Sequence, residues 1–209
     1  MEIRRIIEKA GKMRDMLYSV YNYNSQFIKT NEENKFLEKI LEAMTVVDRK
    51  FFVLNPEDAY IDSALPIGEG QTISQPSTVA RMLMLAELKR GDTVLEVGTG
   101  SGWNACLISF LVYPNKVVSI DRISGLVEEA RNNVKNLEKH IKRKMRIKFK
   151  VESFFEHEDR YDKIIITAGS SDEQLEKIEK LAGKLLNKNG ILICPRQYGK
   201  MIIFKVLCS

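Results

Sequence analysis

The stretch Val94 to Ile108, VLEVGTGSGWNACLI, constrains the fold of this chain more than any other segment. Val94, Leu95 and Val97 make a short apolar run of the kind a buried strand requires. The run leads into Gly98-Thr99-Gly100-Ser101-Gly102. Glycines at alternate positions let a backbone turn sharply and come close to a ligand. A helix is predicted to open near Trp103, so that its free N-terminal amides face the turn. Strand, glycine turn and helix, in that order, form a nucleotide-type binding site.

Spacing narrows the nucleotide. A dinucleotide fingerprint, G-x-G-x-x-G, needs a third glycine where helix packs on strand. Here that position is Trp103, which is far too large. Glu96 stands two residues before the first glycine. A carboxylate there repels a pyrophosphate and suits an amino group or a cation. Asp121 ends the next apolar run (Val117, Val118, Ile120) and can accept hydrogen bonds from both hydroxyls of a ribose. The alternative is a plain Gly-rich turn with a helix-capping Asp; the order of the two signals favours binding. The pattern E-x-G-x-G-x-G resembles the cofactor loop of class I methyltransferases, which bind S-adenosylmethionine.

From Thr93 the pattern alternates. Strands are expected near 93–97, 117–121, 147–151, 162–167 and 190–194, and helices near 102–112, 124–138 and 171–186. Ser171 and Gln174 form a capping-box pair before the last helix. Such alternation means an α/β fold, a doubly wound and mostly parallel sheet with helices on both faces. Gly199-Lys200 separates Ile191–Cys194 from Met201–Leu207, which predicts a hairpin and an antiparallel last strand. Upstream, residues 3–20 carry Ile3, Ile6, Ile7, Ala10, Met13, Leu17 and Val20 at helical spacing. Thr30 and Glu33 read as a capping box for a second helix, 45–75 as loop, and 76–89 as a helix with Pro76 in its first turn. The chain thus divides into an N-terminal helical and loop segment, 1–75, which contributes to the cleft, and a cofactor-binding domain, 76–209, within one compact unit.

Composition excludes several classes. No apolar run approaches the roughly 20 residues that span a bilayer, which argues against a membrane protein. The acidic residues of the first 17 positions and the lack of an apolar core there argue against export. Cys106, Cys194 and Cys208 lie far apart, without metal-ligand spacing, and point to a reducing cytoplasm. His140 and His157 leave little material for a metal site, and none is expected. Much of the net charge of +5 comes from the basic run Lys135–Lys150. That run is read as a solvated helix end and strand edge rather than a nucleic-acid surface, because no aromatics interleave it in the manner of a single-strand binder.

The segment Leu65-Pro66-Ile67-Gly68-Glu69-Gly70-Gln71-Thr72-Ile73-Ser74-Gln75-Pro76 narrows the substrate. It resembles the signature of protein-L-isoaspartate O-methyltransferases. Upstream, Ala43-Met44 and Val47-Asp48-Arg49-Lys50-Phe51-Phe52-Val53 resemble the same family, as do Val94–Gly102 and Tyr161–Ala168 downstream, so that the resemblance covers roughly residues 36–207. It implies transfer of the S-adenosylmethionine methyl group to the α-carboxylate of L-isoaspartyl residues in damaged proteins and peptides, leaving S-adenosylhomocysteine. It implies Ser74 as the catalytic residue that binds the substrate carboxylate; the rival role for Ser74 is a helix N-cap. It implies a cofactor held by Thr72 and Ile73 from the N-terminal side, by Gly98, Thr99 and Gly100 with Glu96 below them at the methionine end, by Asp121 with Arg122 at the ribose, by Glu152 and Ser153 at the adenine, and by Thr167.

The chain departs from the family at three places. Val151-Glu152-Ser153 stands where the family has Gly-Asp-Gly. Gly169-Ser170-Ser171-Asp172 replaces a proline-containing stretch, and Pro195-Arg196-Gln197 replaces Pro-Val-Gly, with Arg196 a candidate cation for the substrate carboxylate. Two other functions compete. An RNA methyltransferase would use the basic run, but Thr167-Ala168-Gly169-Ser170 offers no ring to stack a flipped base. A non-catalytic binding protein would not need Glu96, the glycines, Asp121 and Ser74 together.

Overall fold

The computed structural model describes residues 2–196 and 201–206. Gln197, the predicted turn residues Gly199 and Lys200, Leu207 and Cys208 lie outside the described residues. Helices α1 (Glu2–Lys9), α2 (Arg14–Ser25) and α3 (Asn31–Val46) come first. A hairpin of β1 (Leu65–Gly68) and β2 (Gln71–Ile73) leads to α4 (Pro76–Leu85). The sheet unit follows: β3 (Val94–Val97), α5 (Trp103–Leu111), β4 (Val117–Asp121), α6 (Ser124–Ile141), β5 (Ile147–Val151), β6 (Tyr161–Ile166), α7 (Asp172–Leu185), β7 (Leu186–Pro195) and β8 (Met201–Lys205). The six strands run in the order β5-β4-β3-β6-β7-β8, parallel except for β8 against β7. The expected doubly wound sheet with an antiparallel last strand is therefore present, and the chain reverses its winding between β3 and β6.

Alternation along the strands sorts side chains to two faces. Val94, Val117, Ile165 and Ile193 join a core built with α1 to α6, which includes Leu17, Leu37, Leu41 and Leu83. Leu95, Ile120, Ile164 and Ile166 face the other way, against Ile178, Ala182 and Leu185 of α7. Residues of the 1–75 segment and of the sheet unit thus share one hydrophobic cluster. Burial of each large side chain in it contributes roughly 1.5–3 kcal/mol. Cys106 and Cys194 are free and buried, as small core residues.

Both capping boxes form. Thr30 accepts from the Glu33 amide and Ser171 from the Gln174 amide, with the reciprocal side-chain bonds in place. The first helix differs from expectation. Gly11 has φ +57, outside the right-handed helical region, so residues 3–20 fold as two helices joined by a short 3-10 stretch, Gly11–Met13. The 45–75 stretch is also more ordered than its polarity suggests. It holds 3-10 turns at Arg49–Phe52 and Pro56–Asp58 and the β1–β2 hairpin, in which Leu65 pairs with Ile73.

The basic run forms the end of α6, the following loop and β5. Contrary to expectation, one aromatic, Phe149, stands between charges of the run, flanked by Lys148 and Lys150, and the fold brings two more from elsewhere. The Arg143 guanidinium lies 5.1 Å from the Phe110 and Tyr113 ring centroids, and that of Arg146 5.8 Å from Tyr113. No helix of the described residues is long and apolar enough to cross a membrane.

Candidate active site

A cavity of about 340 Å³ opens at the carboxyl ends of β3, β4 and β6, where the winding reverses. This is where ligands bind in doubly wound sheets. One wall is β2 and the start of α4, with Thr72, Ile73 and Ser74. The opposite wall is the turn Gly98–Ser101 together with Asp121 and Thr167. Trp103 and Asn104, at the start of α5, also line it. Among the described lining residues Asp121 is the one charged side chain.

The glycine turn is held from several sides. Gly98 has φ +97, and a Cβ added there would stand 2.3 Å from the Thr167 hydroxyl oxygen. That hydroxyl donates to the carbonyl oxygens of Gly98 (2.9 Å) and Val97 (3.1 Å), so the tip of β6 locks the turn. Asp121 accepts from the Gly100 amide with Oδ2 (3.2 Å) and from the Ile123 amide with Oδ1 (3.0 Å). It therefore fastens the turn to the entry of α6 while lining the cavity. The Oδ1 bond goes to the amide of Ile123, the N-cap residue itself, and α6 has no side-chain cap hydrogen bond, so the helix-capping alternative for Asp121 is not what the fold shows.

Glu96 lies below the glycine turn as expected, but it does not itself reach the cavity. It is fully buried beneath the turn and is not part of the cavity lining. Ser119 Oγ donates to its Oε2, and Asn104 Nδ2 donates to its Oε1 at 2.8 Å. The Ser119 and Thr99 hydroxyls share a further bond of 2.8 Å. Burial pushes the Glu96 carboxyl up to about 8 against the opposing pull of these bonds, so it is mostly neutral at pH 7. Glu96 reaches the cavity through Asn104 and Thr99, which a local motif does not reveal. The Asn104 Oδ1 is buried and has no hydrogen-bond partner among the described residues. A buried, unmatched acceptor on a cavity wall is a place for a donor from a ligand.

Ser74 stands on the wall facing the glycine turn, and its hydroxyl does not cap α4. The N-cap residue is Gln75, without a side-chain bond. Asp62 caps the helix from a distance instead: Oδ1 accepts from the Ser77 amide (2.9 Å), and Oδ2 accepts from the Ser77 hydroxyl and from Gln75 Nε2 (3.3 Å). The Ser74 carbonyl accepts from Arg49 Nη2 at 3.2 Å. The N-cap alternative for the Ser74 side chain thus falls away, because a residue from the preceding loop does that work.

Four other expected site residues do not reach the lining: Arg122, Glu152, Ser153 and Arg196. Arg122 is exposed. Glu152 is bonded through its carboxylate to His157 and to Lys150 (3.1 Å). Burial alone would raise its pKa, but the His157 and Lys150 bonds draw it below the usual value. The Glu152 amide donates to the Asp121 carbonyl (3.0 Å), so the backbone of Glu152 rather than its carboxylate meets Asp121. Ser153 heads the 3-10 turn Phe154–Glu156. Arg196 pairs with Asp172 at 2.8 Å, so the candidate cation is already engaged by an acid. Sequence reasoning missed Val79, Met82 and Leu126, which add apolar lining. Their helical apolar spacing reads as core alone.

Comparison with known proteins gives a consistent family. The model of the protein-L-isoaspartate(D-aspartate) O-methyltransferase family matches residues 22–206. A protein-L-isoaspartate O-methyltransferase of Fervidobacterium nodosum is 42% identical over 160 residues, 75% of this chain and 77% of that one. One from Thermococcus sibiricus is 47% identical over 155 residues, 71% of this chain and 68% of that one. A solved protein-L-isoaspartate O-methyltransferase superposes with a TM-score of 0.70 at 23% identity, covering 89% of this chain and 58% of that one. A Plasmodium falciparum protein described as such an enzyme, solved with S-adenosyl-L-homocysteine, gives 0.65 at 22% identity, covering 91% and 94%. At these identities the structural matches speak for the fold.

Proposed function

The chain belongs to the protein-L-isoaspartate(D-aspartate) O-methyltransferase family, and from that premise we propose how its cavity does the work of a protein-repair methyltransferase. The reaction moves a methyl group from S-adenosylmethionine to the α-carboxylate of an L-isoaspartyl residue in a damaged protein. The following backbone nitrogen then displaces methanol from the ester to form a succinimide, and water reopens the ring to normal aspartate or back to isoaspartate. S-adenosylmethionine supplies an electrophilic methyl group on a sulfonium. The acceptor carboxylate, with an ordinary pKa of about 3.9, is already ionised at neutral pH, so the chain needs no general base. Its task is alignment, which can supply about 7–11 kcal/mol of a barrier.

The observation that carries this reading is the facing pair of walls: Ser74 on one, the glycine turn with Asp121 on the other, with no His, Lys or Arg among the described lining residues. Such a site suits an acceptor that arrives deprotonated. In this reading the Ser74 hydroxyl donates to one carboxylate oxygen and leaves the other aimed across the cavity. Asp121 accepts from the ribose hydroxyls, and the orphaned Asn104 Oδ1 accepts from the α-ammonium at the methionine end. Gly98, Thr99 and Gly100 give close backbone approach. Thr72, Ile73, Val79, Met82 and Leu126 supply the remaining contacts. The free, buried Cys106 and Cys194 support a cytoplasmic setting.

The test is methyl transfer from labelled S-adenosylmethionine to an L-isoaspartyl peptide beside the same peptide with normal aspartate. Label on the isoaspartyl peptide alone is expected. Label on neither, with cofactor binding intact, overturns the assignment of substrate.

A further inference from the structure

Arg49 is 1% exposed and has no salt-bridge partner among the described residues, yet it binds four carbonyl oxygens. Nη1 donates to Ala59 (3.0 Å) and Ile61 (3.1 Å), and Nη2 to Ser63 (2.9 Å) and Ser74 (3.2 Å). Three of these lie in the loop before the β1–β2 hairpin, and the fourth is the substrate-side serine. The guanidinium carbon lies 5.3 Å from the Trp103 ring centroid. Trp103 in turn opens α5 at the end of the glycine turn, lines the cavity, and donates its indole N–H to the Val47 carbonyl at 2.9 Å. On the other side of Ser74, Asp62 holds residues 75 and 77.

An unbroken path of contacts therefore runs from the cofactor turn through Trp103 and Arg49 to the Ser74 backbone. Burying a guanidinium is expensive, and burial lowers its pKa to about 10 while Asp62 opposes the shift, so the cation persists at neutral pH. Packing alone does not call for it, since an apolar side chain of similar volume would fill the space. The planar fork does something an apolar group or a lysine does not: its two terminal nitrogens donate to four backbone acceptors at once, while the buried Nε has no partner among the described residues.

We propose that Arg49 is a positioning residue for methyl transfer, fixing Ser74 at its distance from the cofactor turn, with Asp62 holding the opposite side. The proposal rests on Ser74 being the substrate-side residue. A displacement of about 1 Å in such a site can lower turnover by about 100-fold even when the fold survives. Arg49 also places a positive charge behind Ser74, where the anionic acceptor meets a cavity whose one charged lining residue is an acid.

The experiment compares Arg49→Lys, Asp62→Asn and Ser74→Ala with the parent chain. It measures kcat/KM for an isoaspartyl peptide per S-adenosylhomocysteine-binding site, the affinity for S-adenosylhomocysteine, and the melting temperature. Arg49→Lys keeps the charge and loses the fork. Its kcat/KM per site is expected to fall about tenfold or more, with S-adenosylhomocysteine affinity held within about twofold. A residue that serves folding alone would lower the melting temperature and the number of binding sites but leave kcat/KM per site at the parent value; that result overturns the proposal. If Arg49→Lys does not fold, Asp62→Asn decides by the same ratio, loss per site supporting and parental value overturning. Parental kcat/KM for Ser74→Ala removes the reading on which the proposal rests. Loss in Ser74→Ala with parental values in the other two removes the positioning role alone.

Discussion

Glu96 shows how far burial can change what a residue does. Burial holds the proton of Glu96 in the folded chain up to about pH 8, whereas an unfolded glutamate releases it near its ordinary value of 4.5. Between those limits the unfolded state binds fewer protons, so this group makes stability fall as pH rises through the window. Glu96→Gln removes that slope. The melting temperature of the variant relative to the parent is expected to rise from pH 5 to pH 8. One pKa unit is worth about 1.4 kcal/mol. One kcal/mol is worth about 2–4 °C in a chain of this size, so the gap should widen by several degrees. A constant gap would mean that Glu96 is ionised in the fold. Asp121 is the contrasting carboxylate, on the cavity wall. Asp121→Ala is expected to weaken S-adenosylhomocysteine binding about tenfold or more, since hydrogen bonds to a charged acceptor contribute about 1.5–3 kcal/mol each. Unchanged affinity by calorimetry would take Asp121 out of the site. Both carboxylates are visible in the sequence because Glu96 occupies the apolar run before the glycines and Asp121 ends the next apolar run. Which of them reaches the cavity is not visible, because that depends on Asn104 and Ser119 meeting Glu96 across the sheet and α5. Arg49 was legible only as part of a resemblance, since its four partners lie 10 to 25 positions away.

At the scale of elements, glycine separates two kinds of constraint. Gly98 and Gly11 both have positive φ. An added Cβ at Gly11 meets nothing within 4 Å, so Gly11→Ala carries the left-handed backbone penalty of about 1–2 kcal/mol and nothing more. Its melting temperature should drop by a few degrees with S-adenosylhomocysteine affinity unchanged. At Gly98 the same methyl group collides with the Thr167 hydroxyl, which is itself bonded to the turn. Gly98→Ala is expected to weaken cofactor binding about tenfold or more, because the turn and the tip of β6 have to part. Equal behaviour of the two variants in calorimetry would show that the lock by Thr167 is dispensable. The same contrast explains which elements the sequence discloses. The parallel strands and both capping boxes are set by residues within four positions of one another. The break at Gly11 is a single-residue event inside an uninterrupted apolar stripe. The β1–β2 hairpin is polar and short, and its pairing of Leu65 with Ile73 depends on three consecutive positive-φ residues, Gly68, Glu69 and Gly70.

For the whole molecule, the question is whether the 1–75 segment and the sheet unit open separately. The cavity is lined by residues of both, so separate opening would expose that lining to water. Two observations point to joint behaviour: residues of both parts share one hydrophobic cluster, and Trp103 and Arg49 bind across the joint. The chain has one tryptophan, and it stands at that joint on the cavity wall. Its fluorescence therefore reports the joint itself, while far-ultraviolet circular dichroism reports the helices of both parts. We propose that the two units unfold together, so the two denaturant curves are expected to share one midpoint, and S-adenosylhomocysteine should move both by the same amount. A tryptophan transition that precedes the loss of helix would mean that the joint opens first. In that case ligand would shift the early transition more than the late one, and the N-terminal segment would be a cover over the site and not part of its frame.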